Sequence, residues 1–355
     1  METISRISSD TNTALNDVAS HTALVLETNN LRGGECFEQV VSSLKRVTGL
    51  LSQQSIPLTA LAQIVITHDG LDESSCKVLE GIAGKQIDFV LIDSTTGYYQ
   101  AKNAGFAATD PEHCKWVVFA DADCVPAADW LAQLLYPFIK DETLAVVAGR
   151  TSYAPNLAGT ALTTLDFMYF PSPLAEGATR NFYANNVAFR REVFAAYHYQ
   201  DLASVYRAHC QVLGLQLQSQ GIPLHFAAKA HTVHRFPDSL SDIVKLRWLR
   251  GQDTHGLTPF LVKSYMPVGL QWLSRSGPIG PLCVLFARLS YSLRALNQQN
   301  LPPLYGPRWL AAILLIICFS VLDMSGALMR GLGLRLPRGK DGGDVQALSY
   351  HGPSK

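Results

Sequence analysis

The stretch that decides the fold is WVVFADAD, residues 116–123. Its first five residues are apolar throughout, which is the pattern of a strand buried on both faces of a sheet. The run ends abruptly in Asp121 and Asp123. Two carboxylates at this spacing can converge on one divalent cation, because Mg2+ and Mn2+ prefer oxygen ligands. The stretch predicts a strand that ends at a metal site, although a solvated turn or a helix cap gives the same pair.

Other short apolar runs lie on both sides of this stretch, and segments of helix length separate them. The runs are ALVLE (23–27), QIVIT (63–67), DFVLID (88–93) and LAVVAG (144–149). This alternation predicts an α/β fold with a mostly parallel, twisted sheet that is flanked by helices. Ligands of such sheets lie at the carboxyl ends of the strands, so the polar residues there are the candidate site residues.

The composition excludes several classes of protein. The chain has 355 residues, of which 48% are hydrophobic and 16% charged, whereas a typical soluble domain has about 25% charged residues. A mainly disordered chain, a coiled coil and a strongly basic protein that binds nucleic acid are therefore excluded. The zero net charge hides an asymmetry, because residues 1–244 carry 16 basic and 25 acidic side chains and residues 245–355 carry 13 and 4. A basic, apolar tail indicates an anionic surface or ligand near it.

The cysteines and the N-terminus indicate the compartment. Seven cysteines are scattered along the chain without a CxxC pair, which argues against a disulfide framework or a structural zinc site. The first 20 residues are polar and lack the apolar core of a secretory signal. We expect a reducing, cytoplasmic-side location, with a disordered leader over residues 1–20 and a disordered tail over residues 346–355.

The C-terminal part of the chain contains a long apolar segment. Residues 309–329 read WLAAILLIICFSVLDMSGALM and include one charged residue, Asp323. About 20 apolar residues can span a bilayer, so residues 256–345 are predicted to form a membrane-associated helical region. The segment is a transmembrane or an inserted helix in this interpretation, and a buried core helix is the alternative. Basic residues flank it on both sides, so the positive-inside rule gives no clean orientation.

A series of motifs in a fixed order carries a resemblance to a known family. The resemblance is to the family 2 glycosyltransferases of the GT-A fold, of the membrane-associated bacterial type, and it covers roughly residues 21–255. The motifs are ALVLETNN (23–30), ITHDG (66–70), GYYQAKNAG (97–105), FADAD (119–123), NFYANNVAFRREVF (181–194), LGLQLQSQG (213–221), AKAHTVHRF (228–236) and KLRWLRG (245–251).

The resemblance implies an activity and a set of site residues. The activity is transfer of a sugar from a nucleotide-sugar, taken as UDP-linked, to a hydroxyl acceptor. Mn2+ or Mg2+ would be bound by Asp121, Asp123 and His234, with Asp123 as the direct ligand and as a catalytic residue. The tail adds membrane lipids as partners and suggests a glycan or lipid-linked acceptor in polysaccharide or glycolipid biosynthesis. The residues expected to bind the donor are Glu27, Asn29, Asp69, Lys102, Asp121, Arg247 and Arg250.

The chain departs from the family pattern at the catalytic base. Inverting members carry an acidic E-D-x-x-L segment, whereas the corresponding residues of this chain read HCQVL (209–213). Three interpretations stay open. His209 serves as the base, since imidazole titrates near neutral pH; another carboxylate such as Asp201 or Glu176 takes its place; or the protein is a retaining enzyme or inactive. The stereochemistry of transfer is left unassigned for this reason.

Two other functions compete with the glycosyltransferase. The DADCV sequence at residues 121–125 also fits the motif of haloacid-dehalogenase-like phosphatases, in which the first aspartate is a nucleophile. Those folds place the motif on their first strand, whereas three strands are predicted before it in this chain. A catalytically impaired scaffold that binds nucleotide-sugars is the second alternative. A dinucleotide oxidoreductase is disfavoured because no GxGxxG follows a strand.

Overall fold

The structure is a computed structural model, and it describes residues 9–28, 37–168, 177–202, 205, 207–237, 239–296 and 304–334. Within these ranges the chain forms one mixed β-sheet with helices on both faces. The helices are α1 (Ser9–Ala19), α2 (Phe37–Ser52), α3 (Glu73–Ala83), α4 (Tyr98–Ala107), α5 (Trp130–Lys140), α6 (Leu157–Asp166), α7 (Arg191–Tyr197), α8 (His209–Ser219), α9 (Leu240–Tyr265), α10 (Ile279–Ala295) and α11 (Gly306–Gly331).

The sheet has nine strands in the described part of the chain, in the order β3-β2-β1-β4-β8-β6-β9-β5, with β7 paired to β9. The pairs among β1, β2, β3 and β4 are parallel, and β8 runs antiparallel to both β4 and β6. The strands are β1 (Thr22–Glu27), β2 (Gln63–His68), β3 (Asp88–Leu91), β4 (Trp116–Asp121), β5 (Cys124–Pro126), β6 (Val146–Ser152), β7 (Ala178–Thr179), β8 (Asn186–Arg190) and β9 (Leu224–His234).

The central strands are apolar throughout because both faces of the sheet are covered. In β1, Leu24 and Leu26 belong to the core under α2 and α5, while Val25 belongs to the core on the opposite face. All three side chains are buried. The α/β prediction with a GT-A-like sheet is therefore confirmed, and all five predicted strands are present. The second half of the sheet is mixed, because β8 enters between β4 and β6 in the reverse direction and β5 and β7 run antiparallel to β9, whereas β6 and β9 pair in parallel.

The N-terminal segment differs from the expectation of a disordered leader over residues 1–20. Residues 9–19 form α1, and Leu15, Val18 and Ala19 are buried in the same core as α5. Their spacing of three and four residues places the side chains on one helix face, which the polar composition of the segment obscures. The first eight residues, and the predicted tail at 346–355, lie outside the described residues.

The C-terminal helices pack against the sheet domain as part of the same body. The expected boundary between residues 255 and 256 falls inside α9, which runs without a break from Leu240 to Tyr265. The contact between α9 and α11 is close, because a Cβ atom on Gly326 would lie 2.1 Å from the carbonyl oxygen of Trp248. The predicted helix at 309–329 lies within α11, and α11 also packs on α6 and α10.

Among the described residues, α11 is the one helix long and apolar enough to cross a membrane, with a mean hydropathy of 2.2. In its most apolar 18-residue stretch, 39% of the residues are buried inside the protein. The other face is apolar and open, with Leu310, Leu314 and Val321 each more than half exposed. One face of α11 is therefore packed in the protein core, and the opposite face is apolar and exposed.

Candidate active site

The carboxyl ends of the parallel strands meet as the sequence predicts. The strand register places Glu27 at the end of β1 directly beside Asp121 at the end of β4 and beside Thr67 of β2. The amide of Ala122 donates to the carbonyl oxygen of Glu27 at 3.1 Å, which ties the turn after β4 to the end of β1. Glu27 and Asp121 are both buried.

Four side chains at this edge lie close enough to hold a metal ion. One potential ligand atom from each of Asp121, Asp123, Cys124 and His234 lies within 4.8 Å of the others. The antiparallel pairing of β5 with β9 sets Cys124 opposite His234 and thereby brings the histidine to the aspartates. His234 donates from Nδ1 to the carbonyl oxygen of Arg235 at 2.8 Å, which leaves Nε2 as the acceptor atom. That Nε2 lies 3.5 Å from Oδ2 of Asp123.

The two aspartates have different surroundings. Asp121 accepts from Nζ of Lys102 through Oδ1 at 2.5 Å and from the hydroxyl of Tyr98 through Oδ2 at 2.7 Å. Asp123 is 1% exposed, and its Oδ2 has no hydrogen-bond partner in the described part of the chain. A buried carboxylate oxygen without a donor is costly unless something binds it. Asp123 therefore carries the free coordinating atom of the pair.

The electrostatics of the pair favour a bound cation. Burial raises the pKa of Asp121 above its usual value, and the Lys102 ammonium opposes this rise. A second carboxylate, Asp123, lies close by and raises the pKa of Asp121 further. One lysine faces two buried carboxylates, so a divalent cation would balance the remaining negative charge.

The donor atoms fit Mn2+ or Mg2+. The coordinating groups are carboxylate oxygens and an imidazole nitrogen, and Mn2+ accepts both types while Mg2+ favours the oxygens. Cys124 is a poor ligand, because burial raises the pKa of its thiol well above the usual value. Its Sγ lies 3.6 Å from Oδ1 of Asp123 as a weak donor. The cluster thus has the chemistry of an oxygen-rich divalent site, with Cys124 buried beside it.

The other residues expected to bind the donor fall into different positions. Lys102 is fully buried, and its ammonium pairs with the carboxylate of Asp121. The resemblance instead led us to expect that this ammonium contacts the base or the diphosphate of the donor. Asp69 is exposed just after β2, on the same sheet edge as Glu27. Asn29 lies outside the described residues.

Arg247 does not face the metal cluster as the sequence interpretation expected. Its guanidinium is fully buried and pairs with Asp166 of α6, at 2.5 Å, and with Asp323 of α11. The Asp323 charge that made the apolar segment unusual is thereby neutralised inside the protein. The expected contact of Arg247 with a diphosphate is replaced by an ion pair that joins α6, α9 and α11, because α11 folds back onto α9.

Arg250 lies one helical turn further on and lines a cavity. It also pairs with Asp166, and its side chain is 15% exposed. The cavity measures about 140 Å³. We refer to it as the arginine cavity; among the residues that line it are Arg207, Arg250, Arg288, Asp166, Asp253 and Tyr99.

His209 is placed beside the arginine cavity rather than in its lining. Its ring stacks on Tyr99 with centroids 4.2 Å apart, and its side chain lines a small crevice next to His198 and Gln200. Burial lowers the pKa of His209 to about 4. The side chain is therefore neutral and weakly basic near neutral pH, which disfavours it as the base. The alternative Asp201 is exposed, and Glu176 lies outside the described residues.

Sequence reasoning missed the arginine cavity and Asp253. The lining residues come from positions 99 to 288 and meet only when α8, α9 and α10 pack together. Asp253 is 3% exposed although it is charged. The one local signal was the repeat of charged residues at 247, 250 and 253, which share one face of α9.

Comparison with known proteins gives a family match and a fold match. The family model described as Glycosyl transferase family 2 matches residues 41–204, a range that includes Asp69, Lys102, Asp121 and Asp123. No curated protein sequence matches this chain significantly.

Two solved structures resemble the chain. The mannosyltransferase PcManGT from Pyrobaculum calidifontis, in complex with GDP-Man and Mn2+, aligns with a TM-score of 0.52 and 16% identity over 87% of this chain and 86% of that one. A crystal structure of GalNAc-T7 with UDP, GalNAc and Mn2+ aligns with a TM-score of 0.46 and 15% identity over 60% of this chain and 42% of that one. The PcManGT alignment supports the GT-A-like fold of this chain, and the GalNAc-T7 likeness is too weak to add to it.

Proposed function

We propose that this protein is a metal-dependent family 2 glycosyltransferase that moves a sugar from a nucleotide-sugar to a hydroxyl acceptor at a membrane. The observation that carries the proposal is the buried cluster of Asp121, Asp123 and His234 at the carboxyl ends of the strands. The family match over residues 41–204 supports the same reading.

The donor site is the edge of the sheet between β2 and β5. Asp69 is exposed there and is positioned to accept hydrogen bonds from the nucleoside, while the buried Glu27 supports the turn after β4. Asp123 and His234 would hold the metal, with Asp121 oriented beside them by its ion pair with Lys102. When bound, a divalent cation stabilises the negative charge that develops on the departing diphosphate. We take the donor as a UDP-sugar, and a GDP-sugar as the alternative that the experiment below distinguishes.

The acceptor base is proposed to be Asp253. Asp253 is a buried carboxylate that lines the arginine cavity, and it lies on the same face of α9 as Arg250. In the transfer step, the acceptor oxygen bonds to the anomeric carbon, the bond from that carbon to the diphosphate oxygen breaks, and the hydroxyl proton passes to the carboxylate.

The membrane location is proposed from the surface of the C-terminal helices. The exposed residues Trp309, Leu310 and Leu314 of α11 and Phe286 of α10 form an apolar surface. Arg308 and Arg330 lie near the two ends of α11, where basic side chains contact anionic lipid head groups. The cysteines of the described residues are free thiols, which agrees with a catalytic domain on the cytoplasmic side.

A donor screen tests the proposed function. The purified, detergent-solubilised full chain would be incubated with a panel of UDP- and GDP-sugars and Mn2+ or Mg2+, and release of the nucleoside diphosphate measured. We expect release with one class of donor that stops when the metal is chelated. Nucleotide binding by calorimetry without turnover, even with acceptor extracts, would indicate a scaffold instead. Neither binding nor turnover would refute the glycosyltransferase proposal.

The phosphatase alternative is not supported by the fold. The DADCV segment ends the fourth strand of a GT-A-like sheet and begins β5, whereas a haloacid-dehalogenase-like enzyme carries it on the first strand. The nucleophile of such an enzyme would be Asp121, whose two carboxylate oxygens accept from Lys102 and Tyr98.

A further inference from the structure

We propose that the arginine cavity is the acceptor site and that it binds a phosphate group carried by an amphiphilic acceptor. The inference rests on the proposed function, because it names the acceptor class of the same enzyme. The cavity of about 140 Å³ has room for several groups the size of a water molecule, each of which occupies about 30 Å³. This space suits a phosphate and the first atoms attached to it.

Two aromatic contacts place the arginine cavity next to the metal cluster. Tyr99 lines the cavity and packs on Tyr98 with ring centroids 4.8 Å apart, and Tyr98 donates to Asp121. Phe167 also lines the cavity, and its ring lies 5.8 Å from that of His234. Two aromatic rings therefore separate the cavity from Asp121, and one ring separates it from His234. An acceptor bound in the cavity would therefore lie close to the metal cluster.

Among the described residues, the charged side chains of the cavity and their ion-pair partners carry an excess of one positive charge. The lining contributes Arg207, Arg250 and Arg288 together with Asp166 and Asp253. Asp166 also pairs with Arg247, which in turn pairs with Asp323. Four arginines thus meet three aspartates. A bound phosphate monoanion would balance the group, and an excess charge in a partly buried cavity favours binding of such an anion.

Two of the arginines have an N–H group that can donate a hydrogen bond to that anion. The Nε atoms of Arg207 and Arg288 are buried and make no hydrogen bond within the described residues. A buried donor without an acceptor is destabilising, so a ligand that accepts from it is favoured. Phosphate oxygens accept two parallel bonds from a guanidinium, so a phosphate satisfies these donors better than a neutral hydroxyl does.

The amphiphilic character follows from what lies outside the cavity. Arg288 lines the cavity from α10, while Phe286 and Ile279 of the same helix are 66% and 56% exposed. One helix thus separates the anion site from the apolar surface that α10 shares with α11. A molecule with a phosphate head and an apolar chain matches both features at once.

Calorimetry with inorganic phosphate tests the anion site directly. The detergent-solubilised full chain would be titrated in EDTA, so that no metal at the aspartates contributes. We expect saturable binding that weakens about 10- to 100-fold in Arg207→Gln and in Arg288→Gln, because a hydrogen bond to a charged group is worth about 1.5–3 kcal/mol. Arg46→Gln, which removes an exposed arginine of α2, is the matched control and should bind as the parent does.

The outcomes separate this inference from the proposed function. The inference is overturned if the parent binds no phosphate. It is also overturned if all variants that keep the parent's thermal unfolding temperature bind phosphate equally. In both cases nucleotide binding remains a separate test of the proposed function. If Arg207→Gln and Arg288→Gln also lose nucleotide binding in Mn2+, the cavity holds the donor diphosphate and the acceptor assignment is wrong. If the parent binds no nucleotide, the proposed function fails whatever phosphate does.

Vesicle flotation distinguishes a lipid phosphate from a soluble one. Vesicles of phosphatidylcholine would be compared with vesicles that also contain phosphatidic acid. We expect the added phosphomonoester to increase binding of the parent and of Arg46→Gln more than that of Arg207→Gln. An equal increase for all three proteins, combined with phosphate binding in solution, would overturn the amphiphilic acceptor in favour of a soluble phosphorylated one.

Discussion

The ammonium of Lys102 lies 2.5 Å from Oδ1 of Asp121, and both side chains are almost completely buried. The pair joins α4 to the end of β4, in the centre of the candidate active site. A buried charge that loses its partner is strongly destabilising, whereas the intact pair is close to neutral for stability. Lys102 is therefore a positioning residue that orients the first aspartate of the pair and opposes the rise in its pKa.

Lys102→Met is expected to lower the free energy of unfolding by about 3–5 kcal/mol, since Asp121 would remain buried without its cation. The double variant Lys102→Met/Asp121→Asn should recover much of this loss, because it removes both charges. Lys77→Met serves as the control, since Lys77 and Glu73 form an exposed pair worth less than about 1 kcal/mol. Denaturant unfolding measures all three. A double variant no more stable than the single one would contradict the pairing.

Gly326→Ala is expected to disturb the packing of α11 on α9. The added Cβ would lie 2.1 Å from the carbonyl oxygen of Trp248, and backbone must shift to admit it. Overpacking of this kind costs about 1–3 kcal/mol. Gly269→Ala is the matched control, because nothing lies within 4 Å of the Cβ it would add. Equal unfolding temperatures for the two variants would show that the helices do not pack closely in solution.

Stability should fall as the pH falls from about 6.5 to 4, in part because of His209. Burial lowers the pKa of His209 to about 4 in the folded protein, whereas the ordinary pKa of a histidine is about 6.5. Below pH 6.5 the unfolded chain therefore binds the proton more tightly than the folded chain, and the folded state loses up to about 3 kcal/mol by pH 4. His231, with its pKa also lowered by burial to about 4, acts in the same direction. His209→Gln should flatten the pH dependence measured by denaturant unfolding, and an unchanged curve would refute the assignment.

The acceptor base is tested by two neutral substitutions. Asp253→Asn should lower turnover by about 10²- to 10⁴-fold, which is the usual contribution of a general base, while donor binding in Mn2+ is kept. His209→Gln should stay within about tenfold of the parent, because its ring stacks on Tyr99 beside the cavity. If His209→Gln lowers turnover more than Asp253→Asn does, His209 is the base and the assignment of Asp253 is wrong.

The sequence predicts the sheet edge well because that information is local. Each of the strands β1, β2 and β4 is an unbroken apolar run followed by polar residues, so Glu27, Asp69 and Asp121 could be placed at one edge from the pattern alone. The resemblance to a known family added His234, which the pairing of β5 with β9 indeed brings to Asp123.

The remaining features depend on contacts between distant segments. Arg247 was expected at the diphosphate, but Asp166 and Asp323 reach it from residues about 80 positions away in the chain. The position of β8 beside β4 likewise depends on contacts between segments that are far apart in the chain. The same is true of the arginine cavity. Periodicity and spacing along one segment carry no information on such contacts.

Metal-dependent sugar transfer through Asp123 is the central claim, and one measurement tests it most directly. Release of nucleoside diphosphate from the donor would be followed with and without Mn2+ for the parent, Asp123→Asn and Asp129→Asn, the last being an exposed aspartate six residues further along the chain. The account predicts Mn2+-dependent release by the parent and Asp129→Asn, and a loss of at least about 100-fold in Asp123→Asn. Release that does not depend on the metal, or that Asp123→Asn leaves intact, would contradict it.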